Sequence, residues 1–82
     1  IGIYEYYYGL SLLHLGKVPE AIEHLKQSFK QSSTKERAGK ELAQIYWLQG
    51  NKEQACIYFT RYLNNDTKSD ILKVIPEFIC IE

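Results

Sequence analysis

The stretch Gly16-Lys17-Val18-Pro19-Glu20-Ala21 returns 34 residues later as Gly50-Asn51-Lys52-Glu53-Gln54-Ala55. Each copy is a glycine, a short linking run and an alanine. The register holds beyond them, with Leu25 aligned to Phe59 and Phe29 to Leu63. A glycine that closes one helix in the left-handed conformation, followed at once by the start of another, defines a helix–turn–helix unit. Self-similarity at a fixed period of this size marks a stacked-repeat architecture.

On the N-terminal side of the first copy, residues 2–15 read as a helix. Tyr4, Tyr8, Leu12 and Leu15 fall at helical spacing, with Leu10 and Leu13 beside them. The run Tyr6-Tyr7-Tyr8 alone would also suit a strand, but the leucine-rich continuation past Ser11 and His14 favours the helix. Gly9 inside that helix costs roughly 1 kcal/mol against alanine. Its presence points to a second helix packed close to its backbone. After the Gly16 turn, Pro19 falls in the first turn of the next helix, where its missing N–H is harmless. Ala21, Ile22, Leu25 and Phe29 make that helix's expected buried stripe, and it fades over residues 31–33.

A third helix follows Ser32-Ser33-Thr34, capped by Ser33 or Thr34, with Ser33 and Glu36 at capping-box spacing. Its apolar face is Leu42, Ala43, Tyr46 and Trp47, broadened by Ile45 and Leu48. Gly50 closes it. Asn51 caps the fourth helix, with Gln54 at the capping-box position. Ala55, Phe59 and Leu63 form the fourth stripe, with Tyr58 and Tyr62, and Asn64-Asn65-Asp66 ends it. A fifth helix, starting at Thr67 or Ser69, carries Ile71, Leu72, Val74 and Ile75. Pro76 ends or kinks it, and Phe78, Ile79 and Ile81 continue as an apolar tail. The expected organisation is all-α: helix pairs over residues 1–33 and 34–66, then a closing helix and tail over residues 67–82.

This pattern resembles the tetratricopeptide repeat, whose helix pairs carry the signature W-x2-L-G-x2-Y…A-x3-F…P. In the second copy Leu42, Ala43 (for the glycine), Tyr46, Ala55 and Phe59 fit it, while Gly39 stands at the tryptophan position. In the first copy Gly9, Ala21 and the Gly16 turn fit. There Glu5, Tyr8, Leu12 and Leu25 replace the Trp, Leu, Tyr and Phe. Ser33 and Thr67 stand where the closing prolines would be. The resemblance covers about residues 2–67 and implies tandem antiparallel helix–turn–helix repeats, a tetratricopeptide-like α-solenoid.

It further implies that the first helix of each pair lines a concave groove that binds a peptide or partner protein. Carried onto this sequence, the groove-facing positions are Ile3, Tyr6, Leu10, Leu13 and His14 on the first helix, and Arg37, Lys40, Gln44, Trp47 and Leu48 on the third. Ile3, Leu10 and Leu13 suit contact with a neighbouring repeat equally well. Tyr6 and Trp47 have the large rigid area of binding hot spots. Arg37 and Lys40 suit a partner of acidic character, or are simply a solvated face. A clamp for chaperone carboxyl tails is disfavoured, because Tyr6 and Leu10 stand where its first Lys and Asn would lie and Glu41 would oppose an anion.

Composition narrows the functional classes. With 82 residues, 45% of them apolar, the chain is one small globular domain. Ten basic and ten acidic residues cancel, which gives no electrostatic argument for nucleic acid or an anionic membrane as partner. No apolar run approaches the roughly 20 residues of a membrane helix. The start has no basic region followed by an apolar one, so no leader is visible. The chain has no methionine and is expected to be a piece of a longer protein. Cys56 and Cys80 lie among apolar residues and read as free, buried thiols, hence a reducing, cytoplasmic setting. His14, His24, Cys56 and Cys80 match no zinc spacing, and no nucleophile, phosphate-loop or paired-carboxylate signature is present. No cofactor, metal or catalysis is expected. The function expected is protein–protein interaction, as scaffold or adaptor. The alternative is an oligomerisation or regulatory segment of a larger protein, with the Tyr-rich first helix and the apolar tail as self-association surfaces.

Overall fold

The structure, a computed structural model, describes residues 1–81. Those residues form five helices and no strand: α1 (Gly2–His14), α2 (Val18–Phe29), α3 (Lys35–Leu48), α4 (Lys52–Tyr62) and α5 (Asn65–Val74). The chain is all-α, two successive helical hairpins and a closing helix, as the repeat pattern predicts. By contacts it divides into two compact units, one from Ile1 to Ala38 and one from Gly39 onward.

The two hairpin turns are built alike. Gly16 (φ 77°) and Gly50 (φ 83°) are the only described residues with positive φ. At the first turn the Lys17 N–H donates to the Leu12 carbonyl (2.9 Å) and the Gly16 N–H to Leu13 (3.0 Å). At the second, Asn51 donates to Tyr46 (2.9 Å) and Gly50 to Trp47 (3.0 Å). These are Schellman bonds, which satisfy carbonyls the helix end leaves open. The residue after each glycine, Lys17 or Asn51, is at once the N-cap of the next helix. Asn51 also accepts from the Gln54 N–H through its side chain (3.3 Å). A Cβ at either glycine would meet nothing within 4 Å, so only backbone conformation resists substitution. Gly50→Ala and Gly16→Ala should each cost about 1–2 kcal/mol, read as a fall in thermal midpoint at unchanged helicity.

In the first unit, α1 and α2 pack at the point Gly9 marks. A Cβ there would stand 2.9 Å from Leu25 Cγ and 3.3 Å from the Ala21 carbonyl oxygen. Ala21 and Leu25 are fully buried. Gly2 makes a second close approach, against Gln31 and Thr34. Two buried hydroxyls tie the same end: Ser28 donates to the Gly2 carbonyl (2.8 Å) and Thr34 to the Ser28 carbonyl (2.7 Å). These contacts correct the expected α1 stripe. Gly2, Gly9 and Leu12 are its buried residues, whereas Tyr4, Tyr8 and Leu15 are exposed. Backbone-to-helix approach at the glycines gives the centre of the α1–α2 contact to Gly2, Gly9 and Leu12 and leaves the tyrosines outside it, Tyr8 reaching α2 only at its edge, against His24. On α2, Ser28 takes a buried place, while Ile22 and Phe29 are half-buried. The Lys35 ammonium covers the Phe29 ring at 3.9 Å.

In the second unit, Ala55, Leu63, Ile71, Ile75 and Phe78 are buried with the Leu42–Trp47 face of α3, and Leu48 is exposed. The fifth helix starts earlier than Thr67, because Asn64 caps it by accepting from the Thr67 N–H (2.8 Å). The same asparagine run therefore ends α4 and starts α5. After Val74 the chain turns at Pro76, with the Phe78 N–H donating to the Ile75 carbonyl (3.0 Å). Proline suits the second position of such a turn by its fixed φ. The cysteines correct the sequence expectation: Cys56 on α4 and Cys80 in the tail form a disulfide, with Cα atoms 5.5 Å apart. That pairing removes the ground on which a reducing compartment was expected.

Candidate functional site

Each expected contact residue has a definite place on its own helix. On α1, Tyr6, Leu10 and Leu13 are half-buried and His14 is exposed at the last turn. Tyr6 also meets Tyr7 edge-on, with ring centroids 5.2 Å apart. On α3, Arg37, Lys40, Gln44 and Trp47 recur at helical spacing and so share one side of the helix. Arg37 is exposed, Lys40 and Gln44 are half-buried, and Trp47 is only 8% exposed. The Trp47 ring stacks on Phe78 (centroids 4.3 Å, 21° between planes) and carries the Lys52 ammonium at 4.8 Å. Phe78 stacks equally on Phe59 (4.6 Å, 28°). The tail phenylalanine thus sits against two aromatic rings, a contact that neither the repeat spacing nor local propensity announces.

Next to Lys40 on α3, Glu41 is held above its ordinary carboxyl value of 4.5, first by burial, with the Lys40 charge pulling partly the other way. The folded chain therefore binds this proton more tightly than the unfolded chain. The group supports folding below about pH 4.5, and that support is lost as pH rises through the raised value. Glu41→Gln should raise stability at neutral pH, and the gain should vanish in acid. Urea titrations at the two pH values check this.

Sequence reasoning missed two further features of the first unit. Glu5 and His24 pair across α1 and α2, Oε2 to Nδ1 at 2.5 Å, and the Tyr8 ring stands edge-on to His24 at 4.5 Å. Their separation in sequence hides the pair, although each lies on its helix's inner flank. Ile3, Tyr4, Tyr7, Tyr8 and Ser11 line a shallow cleft of about 340 Å³ on α1. Among the described residues, no group of three or more His, Cys, Asp and Glu could hold a metal ion. No described helix is long and apolar enough to cross a membrane.

Paired helices joined by glycine-capped turns at a fixed period define a helical-hairpin repeat protein. Comparison with known families agrees: residues 41–69, from the middle of α3 through α4 into α5, match the family model of the tetratricopeptide repeat. No curated protein matches the chain, and no solved structure does. A tetratricopeptide repeat is in general a protein–protein interaction module, not a catalytic one.

Proposed function

We propose that the chain is a scaffold or adaptor that binds a peptide or partner protein through the first helix of each hairpin, α1 and α3. The observation that carries this is the tetratricopeptide match over residues 41–69. Support for counting residues 2–33 as a second, degenerate repeat is the duplication of the Schellman turn at Gly16 and Gly50, bond for bond. The contact residues are Tyr6, Leu10, Leu13 and His14 on α1, and Arg37, Lys40 and Gln44 on α3. Trp47 shares the α3 side by spacing, but its ring is occupied by Phe78 while the tail is seated. Half-buried apolar and aromatic groups on α1, and on α3 the exposed Arg37 and half-buried Lys40, suit a partner with apolar anchors and acidic character. The chain acts by binding, not by catalysis.

The test uses peptides selected on the folded chain from a random phage-displayed library. Tyr6→Ala should weaken a selected peptide by roughly 1 kcal/mol or more at unchanged helicity, measured by calorimetry. Unchanged affinity in Tyr6→Ala and Lys40→Ala alike rejects the assignment. One observation favours the second reading, a self-associating segment: Ile3, Tyr4, Tyr7 and Tyr8 are all exposed around one cleft. Light scattering across concentration separates the two. A monomer counts against self-association, and a concentration-dependent dimer that Tyr4→Ser and Tyr7→Ser abolish counts for it.

A further inference from the structure

Among the described residues beyond Ile75, the tail has two anchoring side chains. Phe78, 2% exposed, fills the slot between Trp47 and Phe59, and Cys80 is bonded to Cys56. The residues around the disulfide return little: Ile79 is 65% exposed and Ile81 is 92% exposed. Fixing residues 76–81 costs backbone entropy at every residue, and the burial of the single Phe78 ring offsets only part of that cost. Without the cross-link the seating of residues 76–81 is unfavourable, so the disulfide decides it. The bond is also reachable. Cys56 and Cys80 are both part-exposed and border an open cleft of about 450 Å³ that they share with Ile57, Ile79 and Ile81.

We propose that Cys56–Cys80 is a redox latch, and that the Trp47–Phe59 slot it closes is a binding site for a phenylalanine side chain borne on an apolar segment with an acidic neighbour. The occupant's chemistry is shown by the tail itself, in which Glu77 precedes Phe78 and Ile79 follows it. The slot's surroundings agree. The Lys52 ammonium lies over the Trp47 ring at 4.8 Å and that of Lys68 over the Phe59 ring at 5.7 Å, so both receiving rings carry a cation that attracts an acidic residue beside the inserted ring. Opening needs a dithiol reductant. One of its thiolates attacks a sulfur of the Cys56–Cys80 bond, which breaks as a mixed disulfide forms. Its second thiol resolves that intermediate. The reductant leaves as a cyclic disulfide, and two electrons and two protons remain on Cys56 and Cys80 as thiols. The tail then exchanges with an external segment of like chemistry. The gate adjoins the proposed α3 contact residues at Trp47 but uses none of Tyr6, Leu10, Leu13, His14, Arg37, Lys40 or Gln44, so substitutions there test the two readings independently.

Trp47 is the chain's one tryptophan, so its fluorescence reports the slot directly. Acrylamide quenching is measured with and without dithiothreitol, and in Cys56→Ser as a permanently open form, with helicity followed by circular dichroism. The probe ligand is a synthetic peptide of residues 75–81 carrying Cys80→Ser. The expected result is severalfold stronger quenching on reduction and in Cys56→Ser, at unchanged helicity. The peptide should bind the reduced chain at least about tenfold more tightly than the oxidised one, and a peptide also carrying Phe78→Ala should not bind. Equal shielding of Trp47 in both redox states overturns the latch. So does stronger quenching that comes only with loss of helicity, which would make the disulfide a staple of the fold. A reduced chain that dimerises by exchanging tails, with Trp47 still shielded, overturns the external occupant.

Discussion

Leu25→Ala should destabilise the chain by about 2–5 kcal/mol, the range for truncating a fully buried leucine, and should reverse the sign of a second substitution. Leu25 has no exposed surface and its Cγ lies 2.9 Å from where a Gly9 Cβ would be built. In the native background Gly9→Ala gains roughly 1 kcal/mol of helix propensity but drives a methyl into a side chain that cannot retreat. Overpacking of this kind costs about 1–3 kcal/mol, so the substitution should be destabilising or neutral. Once Leu25 is alanine the side-chain clash is gone, the remaining close atom is the Ala21 carbonyl oxygen at 3.3 Å, which needs a shift of only a few tenths of an ångström, and Gly9→Ala should stabilise. The double-mutant cycle therefore has a coupling energy of about 1 kcal/mol or more, read from urea unfolding followed by circular dichroism. Additivity would mean that α1 and α2 do not meet at Gly9.

Phe78→Ala should cost about 3–5 kcal/mol, the range for a buried aromatic. The ring stacks on Trp47 and Phe59 at once and is 2% exposed, so its loss leaves both partners facing a void. The loss is read from a lowered thermal midpoint and a red-shifted Trp47 emission. Exposed neighbours give the internal control. Ile79→Ala and Ile81→Ala should each change stability by less than about 0.5 kcal/mol, since neither side chain is buried.

These results bear on how the chain encodes its fold. The repeat was legible because its turns depend on residue types with few substitutes. Left-handed backbone at residues 16 and 50 calls for glycine, and the close approach at residue 9 calls for the same residue for a different reason. Asn51 was legible as a cap because its side chain accepts from its own helix. What escaped was set by groups far apart in sequence. Ser28 looks like a surface residue until the Gly2 carbonyl is seen above it. The α1 stripe was misjudged because tyrosine counts as apolar in a periodicity argument, whereas two glycines set the helix's actual rotation. The disulfide between Cys56 and Cys80 depends on the tail folding back to α4 after Pro76, which no local pattern records. For the same reason Trp47, read as an open contact, carries Phe78 on its ring. Spacing alone could propose contact positions on α1 and α3, but it could not say which rings the chain itself occupies.

The central claim is that the first helices of the hairpins are the binding elements. It is tested most directly by recording backbone amide NMR spectra of the oxidised chain with a library-selected peptide added stepwise. The account predicts shifts centred on Tyr6, Leu10, Leu13 and His14 of α1 and on Arg37, Lys40 and Gln44 of α3. Saturable shifts confined to α2 and α4, with those amides unmoved, would contradict it.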